Sequence, residues 1–473
     1  MSAGEATVPG AAVPGGSGAG PRAIDTVFVA NRGEIALRVV RTCREMGIRS
    51  VVGYSTADSD SAAVRAADDI VRIGPAAGKR SYNYPPAIIE AALRSGAQAV
   101  HPGYGFLSED PDFAEICAAN GLVFVGPDPG VMAKLGDKAL ARALMAAAGV
   151  PVLPGSDGPV QGERSVADEA GRIGLPLIIK AAAGGGGRGM TVVRHRDDLL
   201  PAYRQARAAA REFFGDDRVY LERYWERPRH VEVQVLADSH GGAVALGERD
   251  CSVQRRHQKL IEESPGPGLP ADVARRLAEY ALSGVRSVGY TGAGTFEFLV
   301  SGDDVAFIEV NCRIQVEHPV TEMVTGMDLV REQLRVAAGA PLSVEAAAGR
   351  IAPRGVAVEC RVNAEDPDRG FIPCAGRLTE FTPPGGPFVR VDTHAYAGWS
   401  IPPDYDSLLA KVIVWGPDRE QALDRMDRAL AEFAIGGPGV HTTIPLLRSV
   451  LRDPLFRAAG HSTAFLDERR SYA

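Results

Sequence analysis

Two apolar runs, GTFEFLV (294–300) and VAFIEVN (305–311), each carry one glutamate among residues that favour strands, and only SGDD separates them. Such a pattern suits a strand, a tight turn and a returning strand, and little else. If the turn centres on Asp303, Glu297 lies directly opposite Glu309, and Phe298 opposite Ile308. Opposed residues have Cβ atoms ~5 Å apart, close enough for two carboxylates to share a hard cation. Asn311, two residues beyond Glu309, projects from the same face. Like charges directly opposed on paired strands are unfavourable without a counterion. The hairpin therefore favours a divalent cation, magnesium or manganese, held between Glu297, Glu309 and nucleotide phosphates, over a solvated acidic face.

The next segment, NCRIQVEHP, alternates Arg313, Gln315 and Glu317, which in extended conformation point one way. Arginine can grip a planar oxyanion bidentately, glutamine can orient it and glutamate can take its proton. Bicarbonate suits that set; an ordinary polar strand face is the alternative. His318, followed by Pro319, points the opposite way and reads as structural. Two further clusters stand out. ERDCSVQRRHQK places Gln254, Arg255, Arg256, His257 and Lys259 within six residues, and VECRVNAEDP puts Glu359, Arg361 and Asn363 on one face. A solvated basic stretch and a surface ladder are their simpler explanations.

KAAAGGGGRGM (180–190) sets four glycines between Lys180 and Arg188. Glycine permits close approach and positive φ, so such a loop can wrap a polyphosphate with backbone N–H groups. A bare run would read as a linker, but this one is framed by PLIIK, a buried-strand pattern, and by MTVVR, so a β-hairpin flap fits better. No G-K-[ST] follows, which excludes a P-loop.

At 473 residues the chain exceeds the ~250–300 at which one core stops growing, so several units are expected. Apolar residues at 45% and charged residues at 23% are ordinary for a globular protein. No apolar run approaches the ~20 residues of a membrane span, and a net charge of −7 argues against a nucleic-acid partner. The six cysteines are scattered, which suggests a reducing, cytoplasmic setting. The fold class reads as α/β and α+β. Residues 1–23 form a Gly/Pro/Ala-rich tail expected to be disordered. A doubly wound α/β domain follows at 24–136, opened by the TVFVA strand and a helix with Ile35, Val39, Cys43 and Met46 on one face and Gly47 at its end. It lacks the G-x-G-x-x-G fingerprint, which disfavours a dinucleotide site. An α+β nucleotide-binding unit occupies 137–340, with the flap at about 153–224, and a third unit spans 341–473.

These residues resemble a known family. FVANRGEIALRVVRTCREMGI, HPGYGFLSE, GDK, IIKAAAGGGGRGM, PRHVEVQVLAD, ERDCSVQRRHQK, FIEVNCRIQVEHPVTEMVTG and VECRVNAEDP are similar, in order, to the motifs of biotin carboxylases, the ATP-grasp enzymes of acyl-CoA and pyruvate carboxylases. The resemblance covers nearly everything after about residue 24. It implies ATP-dependent carboxylation of biotin with bicarbonate. Lys138 and Lys180 would bind ATP phosphates beneath the flap glycines Gly185, Gly186 and Gly187, while Glu222, His230, Gln254 and His257 would help hold the nucleotide. Glu297 and Glu309 would carry the metal, with Asn311 nearby. Arg313, Gln315 and the backbone of Val316 would hold bicarbonate, Glu317 would deprotonate it, Lys259 would stabilise the carboxyphosphate and Arg361 the biotin enolate.

The chain departs from the family pattern at Cys312, often threonine in relatives, and at AIGGPGVHTTIPLL, which reads as two residues longer. It carries no MKM motif, so the resemblance implies that the biotin sits on a separate carrier protein, with a carboxyltransferase subunit as further partner, and that the chain is a homodimer. Another ATP-grasp carboxylate ligase or a catalytically silent ATP-binding subunit are the rival readings; retention of Lys259, Arg313, Glu317 and Arg361 argues against silence. A glycine lid predicts that replacing Gly185 and Gly186 with valine lowers kcat for ATP hydrolysis by about tenfold or more; unchanged steady-state parameters would remove the lid role.

Overall fold

The structure, a computed structural model, describes residues 23–182, 190–343 and 351–469. Its first unit is a parallel five-stranded sheet in the order Asp69–Gly74, Arg49–Ser55, Thr26–Val29, Ala99–His101, Val123–Phe124. The expected helix runs Gly33–Glu45 and buries Ile35, Val39 and Cys43. It stops because Gly47 takes φ +70. Strand order reverses between Thr26–Val29 and Ala99–His101, which opens a crevice at their carboxyl ends. There Asn31 Nδ2 donates to the carbonyls of Pro102 (2.6 Å) and Tyr104 (2.8 Å), tying together the two loops that face the rest of the molecule.

The central feature is an antiparallel sheet of eight strands: Asp304–Asn311, Gly292–Ser301, Arg229–Ala237, Ala243–Arg255, Gln258–Ser264, Val356–Asn363, Leu408–Gly416 and Val389–Thr393. It runs without a break across the boundary that the sequence suggests near residue 340. Gln258–Ser264 pairs with Val356–Asn363, setting Glu262 opposite Glu359 and Ile261 opposite Cys360. The helix Ala271–Val288 buries Val273, Leu277, Ala281 and Val285 against one part of this sheet. The helices Arg419–Glu432 and Ile444–Arg452 cover the other.

The glutamate hairpin forms with a register that periodicity alone misses. Ser301 pairs with Asp304, so the turn is Gly302–Asp303, with Gly302 at φ +59, and Phe298 faces Phe307 instead of Ile308. A register shift between Glu297 and Phe298 leaves Ile308 unpaired and restores the Glu297–Glu309 opposition.

A smaller three-stranded sheet has Leu177–Ala181 in the middle, paired antiparallel to Met190–Val193 and Val219–Arg223. The helices Gly162–Ile173 and Leu199–Phe214 pack on it around Val166, Ile179, Val193 and Leu221. The strands expected to frame the flap are therefore hydrogen-bonded as a hairpin, Lys180 opposite Met190. Gly185, Gly186 and Gly187 lie outside the described residues.

Close packing between the Ala271–Val288 helix and the central sheet yields a direct expectation. A Cβ on Gly284 would meet Phe296 at 2.5 Å and Met145 at 2.7 Å. Gly284→Val should destabilise the fold by about 1–3 kcal/mol, read as a lower midpoint in urea denaturation with an unchanged slope.

Candidate active site

A cleft of about 1760 Å³ lies where the parallel sheet, the eight-stranded sheet and the flap unit meet. On its floor the strand pairings set carboxylates in a row: Glu309 opposite Glu297, Glu297 opposite Glu232, and Glu232 opposite Arg249. Three adjacent acids on one face would repel one another without cations. Lys259 supplies the central one, its Nζ lying 2.6 Å from Glu232 Oε2, 3.1 Å from Glu297 Oε1 and 2.7 Å from Glu317 Oε1. Arg249, fully buried, donates from Nε to Glu232 Oε1 at 2.6 Å. His230 Nε2 lies 2.9 Å from the other oxygen of Glu297, and Lys138 Nζ 2.7 Å from Glu309 Oε2. Burial alone would lower the His230 imidazole, but Glu297 outweighs it and holds it above the usual range. Burial opposes charge on Glu297 and Glu317 too, yet Lys259 heads the cations that drive both well below the usual carboxylate range.

Glu317 has no exposed side-chain surface. Lys259 covers one of its oxygens and Arg361 Nη2 donates to the other at 3.1 Å. The segment that carries it is not extended. The strand ends at Asn311, the backbone bends and turns over residues 312–317, and Glu317 stands at the N-cap position of the helix His318–Thr325 without a side-chain capping bond. Arg313, Gln315 and Glu317 therefore converge through a turn, not through strand alternation. Arg313 donates to Asn311 Oδ1 and Gln315 Oε1, both at 2.9 Å, and Gln315 Nε2 donates to Glu297 Oε1 at 3.0 Å. His318 is buried and does not line the cleft.

The nucleotide-binding candidates fall into two sets. Lys180 Nζ is paired with Glu222 Oε2 at 2.5 Å in the flap unit, and Arg142 Nε approaches the other oxygen at 3.6 Å. Gln254 and Lys259 face each other across the hairpin whose turn is Arg256–His257, both at positive φ (48 and 67). Lys138, Lys180, His230, Gln254, His257 and Val316 all line the cleft. Burial holds the His257 imidazole below its ordinary range. The basic ERDCSVQRRHQK cluster is thus a strand-turn-strand at the cleft wall, with Arg256 and His257 exposed at its turn and Lys259 drawn into the carboxylate row.

Several groups escaped the sequence reading. Glu109, from the parallel-sheet unit, accepts from Arg313 Nε at 2.8 Å and from the Cys312 N–H at 2.9 Å, aiming the guanidinium. Glu232 carried a signal in the polar positions of the otherwise apolar HVEVQV strand. Glu262 accepts from Arg361 Nε at 2.6 Å. Glu359, read as part of a surface ladder, is fully buried, and burial pushes its carboxyl well above the usual range.

Residues 23–132 match the description "Biotin carboxylase, N-terminal domain", 137–345 "Carbamoyl-phosphate synthase L chain, ATP binding domain" and 359–468 "Biotin carboxylase C-terminal domain". A biotin carboxylase of Haemophilus influenzae is 51% identical over 447 residues, 94% of this chain and 99% of that one. The chain belongs to the biotin carboxylase family. Among solved structures, the biotin carboxylase–βγ-ATP complex from Campylobacter jejuni has a TM-score of 0.91 at 46% identity, covering 94% of this chain and 99% of that one. The biotin carboxylase domain dimer of Hydrogenobacter thermophilus 2-oxoglutarate carboxylase, solved with MgADP, ADP and bicarbonate, has a TM-score of 0.89 at 44% identity, covering 94% and 97%. Membership in the biotin carboxylase family agrees with the resemblance carried by the motifs. Among the described residues no helix is long and apolar enough to cross a membrane.

Glu262 gives the site a pH signature. Burial raises its carboxyl to about 7, against 4.5 for the free group. Between those values the folded chain holds a proton that the unfolded chain has released, so this stabilisation is complete below 4.5 and is lost as pH rises through about 7. Glu262→Gln, similar in shape to the protonated acid, should leave the melting temperature at pH 5 unchanged and raise it at pH 8.5 by about 2–5 °C. Parallel thermal profiles for variant and wild type across that range would rule out the bound proton.

Proposed function

We propose that this chain is the ATP- and bicarbonate-dependent biotin carboxylase of an acyl-CoA carboxylase, acting as a homodimer on biotin borne by a separate carrier protein and handing the product to a carboxyltransferase subunit. The observation that carries this reading is the Lys259–Glu317–Arg361 array: one buried carboxylate clamped between two cations that face the cleft. Lys138 and Lys180 bind nucleotide phosphates, with Glu222, His230, Gln254 and His257 completing that pocket; the lid role read for Gly185, Gly186 and Gly187 concerns residues outside those described. Glu297, Glu309 and Asn311 offer hard oxygen donors side by side, a set that fits magnesium or manganese. Such an ion supplies charge neutralisation at the phosphates.

Arg313 and Gln315, with the backbone of Val316, hold bicarbonate, and Glu317 accepts its proton. The clamped Glu317 is a weak base, since Lys259 and Arg361 keep it ionised far below neutral pH. Its basicity rises once the anionic substrates, nucleotide phosphates and bicarbonate, compete for those cations; Lys259 then stabilises the carboxyphosphate and Arg361 the biotin enolate. Proton transfer is thereby tied to occupancy of the site. Deprotonated bicarbonate attacks the γ-phosphorus and ADP leaves; the carboxyphosphate splits into carbon dioxide and phosphate, the phosphate removes the N1 proton of biotin, and N1 bonds the carbon dioxide. Charge stabilisation and positioning carry such phosphoryl transfer, and the groups assembled here are cations, carboxylates and amides.

ATP hydrolysis by the purified chain, with magnesium and bicarbonate, should rise on addition of free biotin; hydrolysis indifferent to biotin would favour another carboxylate ligase. Glu317→Gln should lower biotin-stimulated turnover by about 100-fold or more while nucleotide affinity stays within about twofold. Retained stimulation would end the assignment of Glu317 as base.

A further inference from the structure

Behind the Gln315–Glu317 turn lie two buried groups that face away from the cleft. His318 Nδ1 is 2.7 Å from the Gln315 carbonyl oxygen. A carbonyl only accepts, so Nδ1 carries the proton and donates. The His318 backbone N–H reaches the same oxygen at 3.3 Å. Lys411, with no exposed side-chain surface, donates from Nζ to the Val316 carbonyl at 2.8 Å. The same ammonium is anchored by Glu34 Oε1 at 3.0 Å, and that oxygen also accepts from the Tyr104 hydroxyl at 2.5 Å. Each peptide is planar and trans, so its N–H points opposite to its C=O. Holding the Gln315 carbonyl from behind directs the Val316 N–H forward, and holding the Val316 carbonyl directs the Glu317 N–H away from Lys411. Neither N–H donates to a protein group among the described residues. Val316 lines the cleft.

We propose that His318 and Lys411 are positioning residues for bicarbonate: they never touch the anion, but together they lock two successive peptide planes so that the turn presents its N–H groups to it. This rests on the bicarbonate reading given above and adds two residues to it. It also places the first parallel-sheet unit in the anion site, because Glu34, at the start of the Gly33–Glu45 helix, anchors the ammonium that fixes the turn.

The test uses the full-length chain and steady-state ATP hydrolysis as a function of bicarbonate and of ATP. Asparagine at 318 can set its amide nitrogen where Nδ1 stands, whereas glutamine reaches the Nε2 position. His318→Gln should raise the KM for bicarbonate about tenfold, the scale of one hydrogen bond, with the KM for ATP within about twofold. His318→Asn should stay within about threefold of wild type. Lys411→Met should raise the KM for bicarbonate to a similar extent through the second peptide. It reports separately, so a His318 variant that fails to fold leaves the decision to it. Equal behaviour of the Asn and Gln variants, an unchanged bicarbonate KM in Lys411→Met, or a KM for ATP that rises in step with that for bicarbonate would each overturn the proposal. A wild-type chain whose hydrolysis ignores bicarbonate would instead overturn the proposed function, so the two failures are distinguishable.

Discussion

One ammonium group organises the centre of this protein. Lys259 lies within 3.1 Å of oxygens from Glu232, Glu297 and Glu317, three carboxylates that are almost wholly removed from water. Burying such acids without a partner costs several kcal/mol each, and removing a partner from a buried pair is far more damaging than never having built it. The pairing thus sets which strands lie together and in what register. Arg249 balances the other oxygen of Glu232, Arg361 that of Glu317 and His230 that of Glu297. The cations that face the cleft are thereby committed to protein carboxylates.

The sheet that displays these charges is continuous for a reason. Arg361 reaches Glu317 from Val356–Asn363, while Lys259 reaches it from Gln258–Ser264, and these strands are hydrogen-bonded neighbours. A gap between a central and a carboxyl-terminal unit would separate the two cations by more than a side chain's length. The parallel-sheet unit contributes from the crevice where its strand order reverses, the place at which such folds present binding groups. Glu109 aims Arg313 from that side and Glu34 anchors Lys411. Three regions thereby converge on one cleft, consistent with ligand sites favouring the junctions between units.

Much of this was legible in the residues, and what was not had local causes. The Glu297–Glu309 opposition follows from strand periodicity, but it survives only because Ile308 is left unpaired to compensate for a shorter turn. The alternation of Arg313, Gln315 and Glu317 pointed to a shared site, although the backbone there turns into a helix cap instead of running straight. Periodicity cannot distinguish the two, because both bring residues two apart toward one side over so short a span. Glu359 looked like a surface group because nothing in a single strand reveals what will cover it. The neighbouring strand brings Glu262 opposite it, and burial then keeps both carboxyls protonated far above their usual range.

The amino-acid order by itself determined the elements, the family and the residue types of the site, since those depend on spacing within a few residues and on motifs that are contiguous in the chain. Which charge meets which was decided only by the tertiary structure. Glu34 and Lys411, and Lys259 and Glu317, come from elements far apart in the chain, and a buried ion pair exists only where packing has excluded water from both partners at once.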